Sequence, residues 1–293
     1  MLKILSVIYM LWGFNWVVMK EANLFFSPTM FVALRFAGGA IALLATAAWL
    51  KLPLPPRPYW KWIAVTGILQ IAVNNLAIQI GVVALGAGLA AVLNYSMPVW
   101  VAIMAHFILN ERLTVRKLGG IAVSMAGLLI LMKVDVIGST NGILITLGGA
   151  VAWAAASILM KIQGRVITEN QRNGRRAACH IIQYTAWQMV VGSLSLFAYM
   201  AISPPPPAVW TPLAAACLLY NCLFASALAF FLWNHLLTLI EASTASTAVL
   251  GVPVVGVLGG VICFGEPLTP QIAIGMVMIL AGIVTIVRAP ATK

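Results

Sequence analysis

Carboxamide side chains recur inside an apolar stretch of the chain, where they could bind a solute. Residues 60–81 are largely apolar yet contain Gln70, Asn74, Asn75 and Gln79. Spacings of four residues place these amides on one broad face of a helix. Because a buried amide in hydrocarbon needs a hydrogen-bond partner, which a wet cavity can supply, the pattern predicts that this face lines a cavity. Hydrogen bonding between helices is the alternative for any one of them.

Amides, hydroxyls and aromatic rings also occur in six other apolar runs. A lining of this kind suits a neutral or zwitterionic solute with an apolar or aromatic side chain. The candidate substrate-binding residues are Trp12, Asn15, Asn74, Asn75, Gln79, Tyr95, Trp153, Tyr184, Trp187, Asn221 and Ser246.

One charged residue lies well inside an apolar run. Arg35 is about two helical turns from the start of residues 29–50. It could bind a substrate carboxylate, and the alternatives are that it extends toward water or pairs with Glu21. All six Asp and Glu residues of the chain fall at run ends or between runs, which disfavours a buried carboxylate relay. Facilitated diffusion, exchange or coupling through another group then remains open.

The elements that position these residues follow from the composition. Of 293 residues, 62% are hydrophobic and 8% are charged, against about 25% charged in a soluble domain. This composition excludes a soluble enzyme, a nucleic-acid binder and a disordered chain, and predicts an all-α integral membrane protein. Ten runs are long enough to cross a bilayer: residues 3–20, 29–50, 60–81, 87–109, 115–133, 141–162, 180–202, 212–235, 243–264 and 270–288.

The distribution of basic residues predicts the orientation of these helices. With the N-terminus in the cytoplasm, 14 of the 17 Lys and Arg residues lie on the cytoplasmic side and two on the other. Such an asymmetry sets membrane topology, so both termini are predicted to be cytoplasmic, with a cytoplasmic basic loop at residues 164–179. The net charge of +11 then reflects topology rather than affinity for nucleic acid.

The chain repeats itself. When residues 89–133 are shifted by 155 positions, nine of 45 positions are identical, and Pro98 falls on Pro253 and Glu111 on Glu266. Near the start of each half, a shift of 141 positions aligns a tryptophan and a Met-Lys pair.

Five helices per repeat make the two halves, residues 1–133 and 141–288, run in opposite directions through a membrane. Inverted repeats are typical of alternating-access carriers, whose substrate binds between the halves. Pro98 and Pro253 each remove a backbone hydrogen bond from a predicted helix and are expected to act as hinges that open and close the cavity. A duplication that only builds a stable bundle is the alternative.

Each half contains the pattern W-x(7)-K followed by P-x(12)-E-x-L-T-x(5)-G-x(6)-G. This pattern spans nearly the whole chain and resembles the EamA repeat of the drug/metabolite transporter superfamily. The residues that carry it are Trp12, Lys20, Pro98, Glu111, Leu113, Thr114, Gly120 and Gly127 in the first half and Trp153, Lys161, Pro253, Glu266, Leu268, Thr269, Gly275 and Gly282 in the second.

The resemblance implies a ten-helix basket around a central cavity. That cavity would be lined mainly by the third, fourth, eighth and ninth helices, with help from the first, second, sixth and seventh. Members of the superfamily include exporters of amino acids and other small metabolites, among them the YddG-like exporters of aromatic amino acids. The resemblance is strong for the family and weak for the substrate.

A carrier that exports amino acids, aromatic or neutral, by alternating access is the leading functional hypothesis. A multidrug or toxic-compound exporter is the alternative, and it is less favoured because cationic drugs usually need a buried carboxylate. A nucleotide-sugar carrier would need several cations in its cavity. An intramembrane enzyme would need a nucleophile with a base, or paired aspartates, and a channel has no need of inverted halves.

Few partners are expected. The four cysteines form no C-x-x-C motif and the chain has no Walker motif, so neither a metal, a cofactor nor ATP hydrolysis is predicted. The expected partners are a neutral or zwitterionic small molecule and the lipid bilayer, without nucleic acid. The expected setting is a bacterial inner membrane, in which the protein functions as a monomer.

Overall fold

A computed structural model describes residues 2–85, 87–132, 139–172, 179–265 and 267–287. Within these ranges ten helices are long and apolar enough to cross a membrane, which confirms the predicted all-α membrane fold. The helices are α1 (Leu2–Ala22), α2 (Pro28–Trp49), α3 (Arg57–Leu85), α4 (Leu89–Leu109), α5 (Val115–Met132), α6 (Thr140–Gln171), α7 (Ile181–Ile202), α8 (Pro212–Leu239), α9 (Ala242–Cys263) and α10 (Pro270–Val287).

Four of these helices depart from regular α-helix near their middles, in matched pairs. α3 contains the π-helical segment Ile68–Val73, and α8 contains the π-helical segment Asn221–Leu228. α4 is interrupted at residues 95–96 and α9 at residues 249–250. Such irregular turns redirect side chains and backbone hydrogen bonds and are frequent at functional sites. Each half of the chain therefore carries the same two irregularities in its third and fourth helices.

The repeated motif N/G-E-x-L-T builds the turn that follows each interrupted helix. Asn110 ends α4 with a φ of 57°, and Gly265, its match in the second half, lies at the end of α9 with a φ of 65°. This left-handed backbone favours Gly and Asn and is a common helix end. The Thr114 hydroxyl accepts a hydrogen bond from a backbone N–H three residues later (3.2 Å), and the Thr269 hydroxyl does the same (3.3 Å). The motif thus ends one helix and begins the next.

Helix pairing follows the repeat as well. α5 packs against α10, α2 against α7, α1 against α9 and α4 against α6. A Cβ on Gly127 would lie 2.7 Å from the Gly275 carbonyl oxygen, and one on Gly120 would lie 2.8 Å from that of Gly282. Residue numbers rise along one helix as they fall along the other, so α5 and α10 cross antiparallel. Glycines allow this close approach, which replaces the missing hydrophobic driving force between membrane helices.

The largest buried apolar cluster among the described residues extends from one end of the bundle into its middle. It contains residues from the starts of α1 and α9 and from the ends of α4 and α8, among them Ile8, Leu109, Leu237 and Ala242. This is the end that the sequence predicts to face the cytoplasm. Close packing there leaves the open space of the protein at the other end.

One predicted boundary is wrong. The sequence predicts a loop at residues 164–179, but α6 continues to Gln171. The prediction ended the helix where charged residues begin, whereas a helix can extend past the hydrocarbon with its charges in water. Ile167 in this extension is fully buried in the main core. Residues 173–178, together with Lys133 and Glu266, lie outside the described ranges.

Gly127→Ala is expected to destabilise the bundle, because the added methyl group would meet the backbone of α10. The expected loss is about 1–3 kcal/mol, measured as a lower unfolding temperature of the purified protein in detergent. Gly119→Ala is the matched control, since Gly119 is exposed on the same helix with nothing within 4 Å of an added Cβ. Equal unfolding temperatures for the two variants would contradict this role of the glycine contact.

Candidate functional site

A cavity of about 310 Å³ opens where α1 ends and α2 begins. The exposed residues Asn23 and Pro28 stand at its rim, while Met97 and Trp153 are among its buried lining residues. Most of the lining comes from α1 to α4, and α6, α8 and α9 complete it. The polar and aromatic residues of the lining are Trp12, Asn15, Trp16, Asn23, Arg35, Gln70, Asn74, Asn75, Gln79, Asn94, Tyr95, Trp153 and Phe230.

The amide face of α3 both lines the cavity and bonds to other helices. Asn74 Nδ2 donates to Asn94 Oδ1 (2.8 Å) and to the Gly149 carbonyl oxygen (3.0 Å), which joins α3 to α4 and α6. Asn75 Oδ1 accepts a hydrogen bond from Arg35 Nη2 (3.4 Å). These amides therefore line the cavity and also link helices, so both interpretations apply to them.

Arg35 places a buried positive charge in the cavity wall. The residue is 8% exposed, and its Nη1 donates to Asn221 Oδ1 (3.3 Å). Its Nε has no partner, and among the described residues no carboxylate pairs with the guanidinium, so the ion pair with Glu21 is not formed. The guanidinium carbon lies 4.7 Å from the centre of the Phe36 ring. A buried cation held only by neutral groups is costly, and an incoming anion would relieve that cost.

Aromatic rings form the wall that faces the amides. Trp12 and Trp153, matched between the halves, both contact Trp233, with ring centres 6.1 and 4.9 Å apart. Trp12 also meets Phe230 edge to face at 5.5 Å. Its indole N–H donates to the Ala225 carbonyl oxygen (2.9 Å) inside the π-helical segment of α8. The irregular backbone of α8 thus fixes the orientation of a lining tryptophan from α1.

Four predicted site residues lie outside this cavity, and two of them belong to α7. Tyr184 is fully buried with its hydroxyl 3.2 Å from Thr66 Oγ1. Trp187 donates its indole N–H to Gln183 Oε1 (3.2 Å) and packs on the ring of Trp60. No described residue of α7 lines the cavity, because this helix packs against α2 and α3.

The other two lie on α8 and α9. Asn221 supports the site from behind: it accepts from Arg35 and donates to the Cys217 carbonyl oxygen (3.2 Å). Ser246 is buried and donates to the Ser243 carbonyl oxygen of its own helix (3.1 Å). Because these side chains are polar, the sequence predicted that they need hydrogen-bond partners. In the structure their partners are protein groups, and the side chains do not line the cavity.

The prediction also missed residues of α1 that line the cavity. Trp16, Met19 and Asn23 lie there beside the predicted Trp12 and Asn15. Each of the five is three or four positions from another of them, so they share one face of α1. This spacing could have identified them. The apolar lining of α2 and α3 carries no such signal, because apolar side chains face lipid and cavity alike.

The two predicted hinge prolines lie beside the cavity rather than in its wall. Pro98 is the second residue of the half-helix that begins at Met97, and Pro253 is the third residue of the one that begins at Gly251. In the first turn of a helix the missing N–H of proline leaves no hydrogen bond unmade. The prolines therefore mark the interruptions of α4 and α9 and do not kink a continuous helix.

The lining is equipped to bind but not to cleave. Among its described residues Arg35 and Tyr95 are the ionisable ones, and it includes no Asp, Glu, His, Cys, Ser or Lys. In the described ranges no group of three or more His, Cys, Asp or Glu could hold a metal ion. Outside the membrane helices, burial raises the pKa of the Cys179 thiol to about 12, so it stays protonated and unreactive.

Comparison with known proteins identifies relatives of this chain. The EamA-like transporter family matches residues 2–133 and again residues 140–288. The uncharacterized transporter YoaV of Bacillus subtilis is 29% identical over 97% of this chain and 94% of its own length. Probable amino-acid metabolite efflux pumps of Salmonella typhimurium and Escherichia coli are 26% and 24% identical, each over 94% of this chain and 91% of the relative. A crystal structure with 17% identity superposes with a TM-score of 0.78 over 96% of this chain and 94% of its own, which shows the fold.

Proposed function

Because the chain belongs to the EamA-like transporter family, we propose that it exports amino acids, aromatic or neutral, or similar small metabolites through the central cavity. The protein is a multi-pass membrane transporter and not an enzyme. The observation that carries the substrate proposal is the buried guanidinium of Arg35, which lines the cavity without a carboxylate partner among the described residues.

The lining fits a zwitterion with an apolar side chain. Arg35 supplies a charge for the carboxylate, and the rings of Trp12, Trp16 and Tyr95 supply apolar surface within the same cavity. A volume of about 310 Å³ lies at the lower end of the range of small-molecule sites and suits a solute of amino-acid size. Two relatives that carry the name amino-acid metabolite efflux pump support the same class.

Transport by alternating access is part of the proposal. The antiparallel crossing of α5 and α10 and the matched interruptions of α4 and α9 support two inverted repeats at residues 1–133 and 141–288. Inverted halves can exchange conformations and so open the same cavity to either side. With both termini in the cytoplasm of a bacterial inner membrane, as the charge distribution predicts, the cavity of this structure faces outward. A functional monomer is part of the same proposal.

A multidrug exporter is the second candidate, and the aromatic wall favours it. Planar hydrophobic drugs bind to such rings through stacking and, when cationic, through cation–π contact. Arg35, however, repels cations, and the described lining contains no carboxylate to offset that repulsion. Amino acids therefore remain the preferred substrates.

Arg35→Gln is expected to weaken amino-acid binding by about 10- to 100-fold, because a hydrogen bond to a charged group contributes about 1.5–3 kcal/mol. The measurement is thermal shift of the purified protein with the twenty amino acids, followed by calorimetry on those that bind. Arg35→Lys keeps the charge and should retain part of the affinity. If no amino acid shifts the wild type, or if Arg35→Gln binds as tightly, the proposed substrate class is wrong.

Pro98→Ala is expected to slow transport more than it weakens binding. The proline ring would clash with the carbonyl four residues earlier in a continuous helix, so alanine would let α4 continue through the interruption and become stiffer. Counterflow in proteoliposomes measures turnover, and calorimetry measures affinity. Pro212→Ala is the control, because Pro212 starts α8 far from either interruption. An unchanged turnover for Pro98→Ala and for Pro253→Ala would remove the hinge role.

A further inference from the structure

Buried polar atoms without hydrogen-bond partners collect on the cavity lining. Three lining residues each have one: Asn15 Oδ1, Arg35 Nε and Gln70 Nε2. Asn15 is 7% exposed and Gln70 is fully buried. Their other polar atoms are engaged, since Asn15 Nδ2 donates to Met19 Sδ (3.1 Å) and Gln70 Oε1 accepts from Gln188 Nε2 (2.6 Å). The cavity therefore offers two donors and one acceptor to a bound solute.

Asn15 and Arg35 are close enough to hold the two ends of one small molecule. Asn15 Nδ2 and Arg35 Nη1 contact the same atom, Met19 Sδ, at 3.1 and 3.9 Å, so they lie no more than about 7 Å apart. This upper limit lies within the reach of one α-amino acid that bridges the two groups with a hydrogen bond of about 3 Å at each end.

We infer that Asn15 recognises the substrate ammonium group through its free Oδ1, and that this contact selects α-amino acids over carboxylates without an amino group. The inference rests on the proposed function, in which Arg35 binds the carboxylate. Recognition of the ammonium by a neutral oxygen suits a zwitterion, because a carboxylate at Asn15 would instead neutralise Arg35.

The test compares matched ligands by calorimetry: phenylalanine and leucine, their des-amino acids 3-phenylpropionate and 4-methylpentanoate, and their amines phenethylamine and isopentylamine. The wild type should prefer each amino acid to its des-amino acid. Asn15→Leu should lower that preference by about tenfold or more and leave des-amino acid binding little changed. Asn15→Gln keeps a neutral amide oxygen as acceptor and should retain part of the preference, and unfolding temperatures without ligand check that both variants fold.

The two proposals fail in different ways. Arg35→Gln should weaken the binding of amino acids and of des-amino acids alike. If it weakens the binding of neither class, or if the wild type binds no amino acid, the proposed function is wrong. Suppose that Arg35→Gln has its expected effect. If Asn15→Leu then weakens the binding of both ligand classes equally, or of neither class, the assignment of Asn15 is wrong. If the wild type binds the amines more tightly than the amino acids, both the proposed function and the assignment of Asn15 are wrong.

A different observation concerns the opposite end of the bundle, where buried charges join the two halves. Glu111, 5% exposed, accepts three hydrogen bonds at the start of α9: from Ala242 N (2.8 Å), Ser243 N (3.1 Å) and Ser243 Oγ (2.7 Å). Lys117, 1% exposed, donates to Glu241 Oε2 (2.8 Å). We call Glu111, Lys117, Glu241 and Ser243 the clasp. Its first two residues belong to the first half of the chain and its last two to the second.

The clasp can hold only while this end of the protein is shut. The carboxylate of Glu111 satisfies free N–H groups at a helix start, where a negative charge is also favoured by the helix dipole. Neutralising Glu111 or Lys117 removes one side of a contact that is buried here, whereas opening this end lets water reach the charges. We propose that the clasp is the closed gate of this conformation and that it separates when the cavity opens to the other side of the membrane.

The experiment places a cysteine at Ala91, which lines the cavity, in a chain whose four native cysteines are replaced by serine. Right-side-out and inside-out vesicles are treated with a membrane-impermeant maleimide. With the wild-type clasp, the introduced cysteine should react fast with the maleimide from one face of the membrane. Glu111→Gln and Lys117→Gln should each raise labelling from the opposite face about tenfold. Glu169→Gln is the control, because Glu169 is exposed on α6 and outside the clasp.

A charge exchange separates gating from loss of fold. Lys117→Glu alone should raise labelling from the opposite face, and adding Glu241→Lys should return it toward the wild-type level, because the ion pair is restored with its charges reversed. If Glu111→Gln and Lys117→Gln label like Glu169→Gln, or if the exchange gives no recovery, the clasp is not the gate.

Discussion

Polar groups inside a bilayer must find partners within the protein, and this constraint governs the structure. Helices satisfy their own backbones, so irregular backbone at membrane depth occurs only where protein or a water-filled cavity can satisfy it. Here the interruptions of α4 and α9 are largely buried, and the π-helical segments of α3 and α8 each have a buried face. The indole of Trp12 bonds to a carbonyl of the α8 π-helical segment, and Asn74 links α3 to α4 and α6. The cavity is thus a consequence of where the helices are irregular.

The same constraint explains how the two ends of the bundle differ. At the packed end, the charges of Glu111 and Lys117 are buried but fully engaged with the start of α9. At the open end, Arg35 is buried with long hydrogen bonds to neutral amides and an unpartnered Nε. A satisfied charge cluster stabilises one closed conformation, while an unsatisfied one favours a ligand. In the proposed transport cycle, the two clusters correspond to a closed gate and a substrate site.

The repeat supplies matching parts, but the halves use them differently. Gly120 and Gly127 pack on Gly282 and Gly275 as equals across the α5–α10 crossing. Arg35, by contrast, has no cationic counterpart in the second half, and α7 lines no described part of the cavity although α2 does. The scaffold repeats, whereas the described lining of the cavity comes mostly from one half. Such asymmetry lets the solute-binding residues change without disturbing the helix packing.

The sequence alone determined the ten helices, their repeat and most of the cavity. Apolar length reveals a membrane helix because the bilayer imposes one thickness, and spacing along α1 and α3 reveals a polar face because the helix has a fixed period. Eight predicted residues, Arg35 among them, line the cavity. Only the tertiary structure decided that Tyr184, Trp187, Asn221 and Ser246 face protein partners and that Glu111 reaches across to α9. A side chain's type states that it needs a partner but not which one. Trp187 and Ser246 bond within one turn of their own helices, whereas Glu111 bonds to the start of α9, and only the helix packing decides between such local and distant partners.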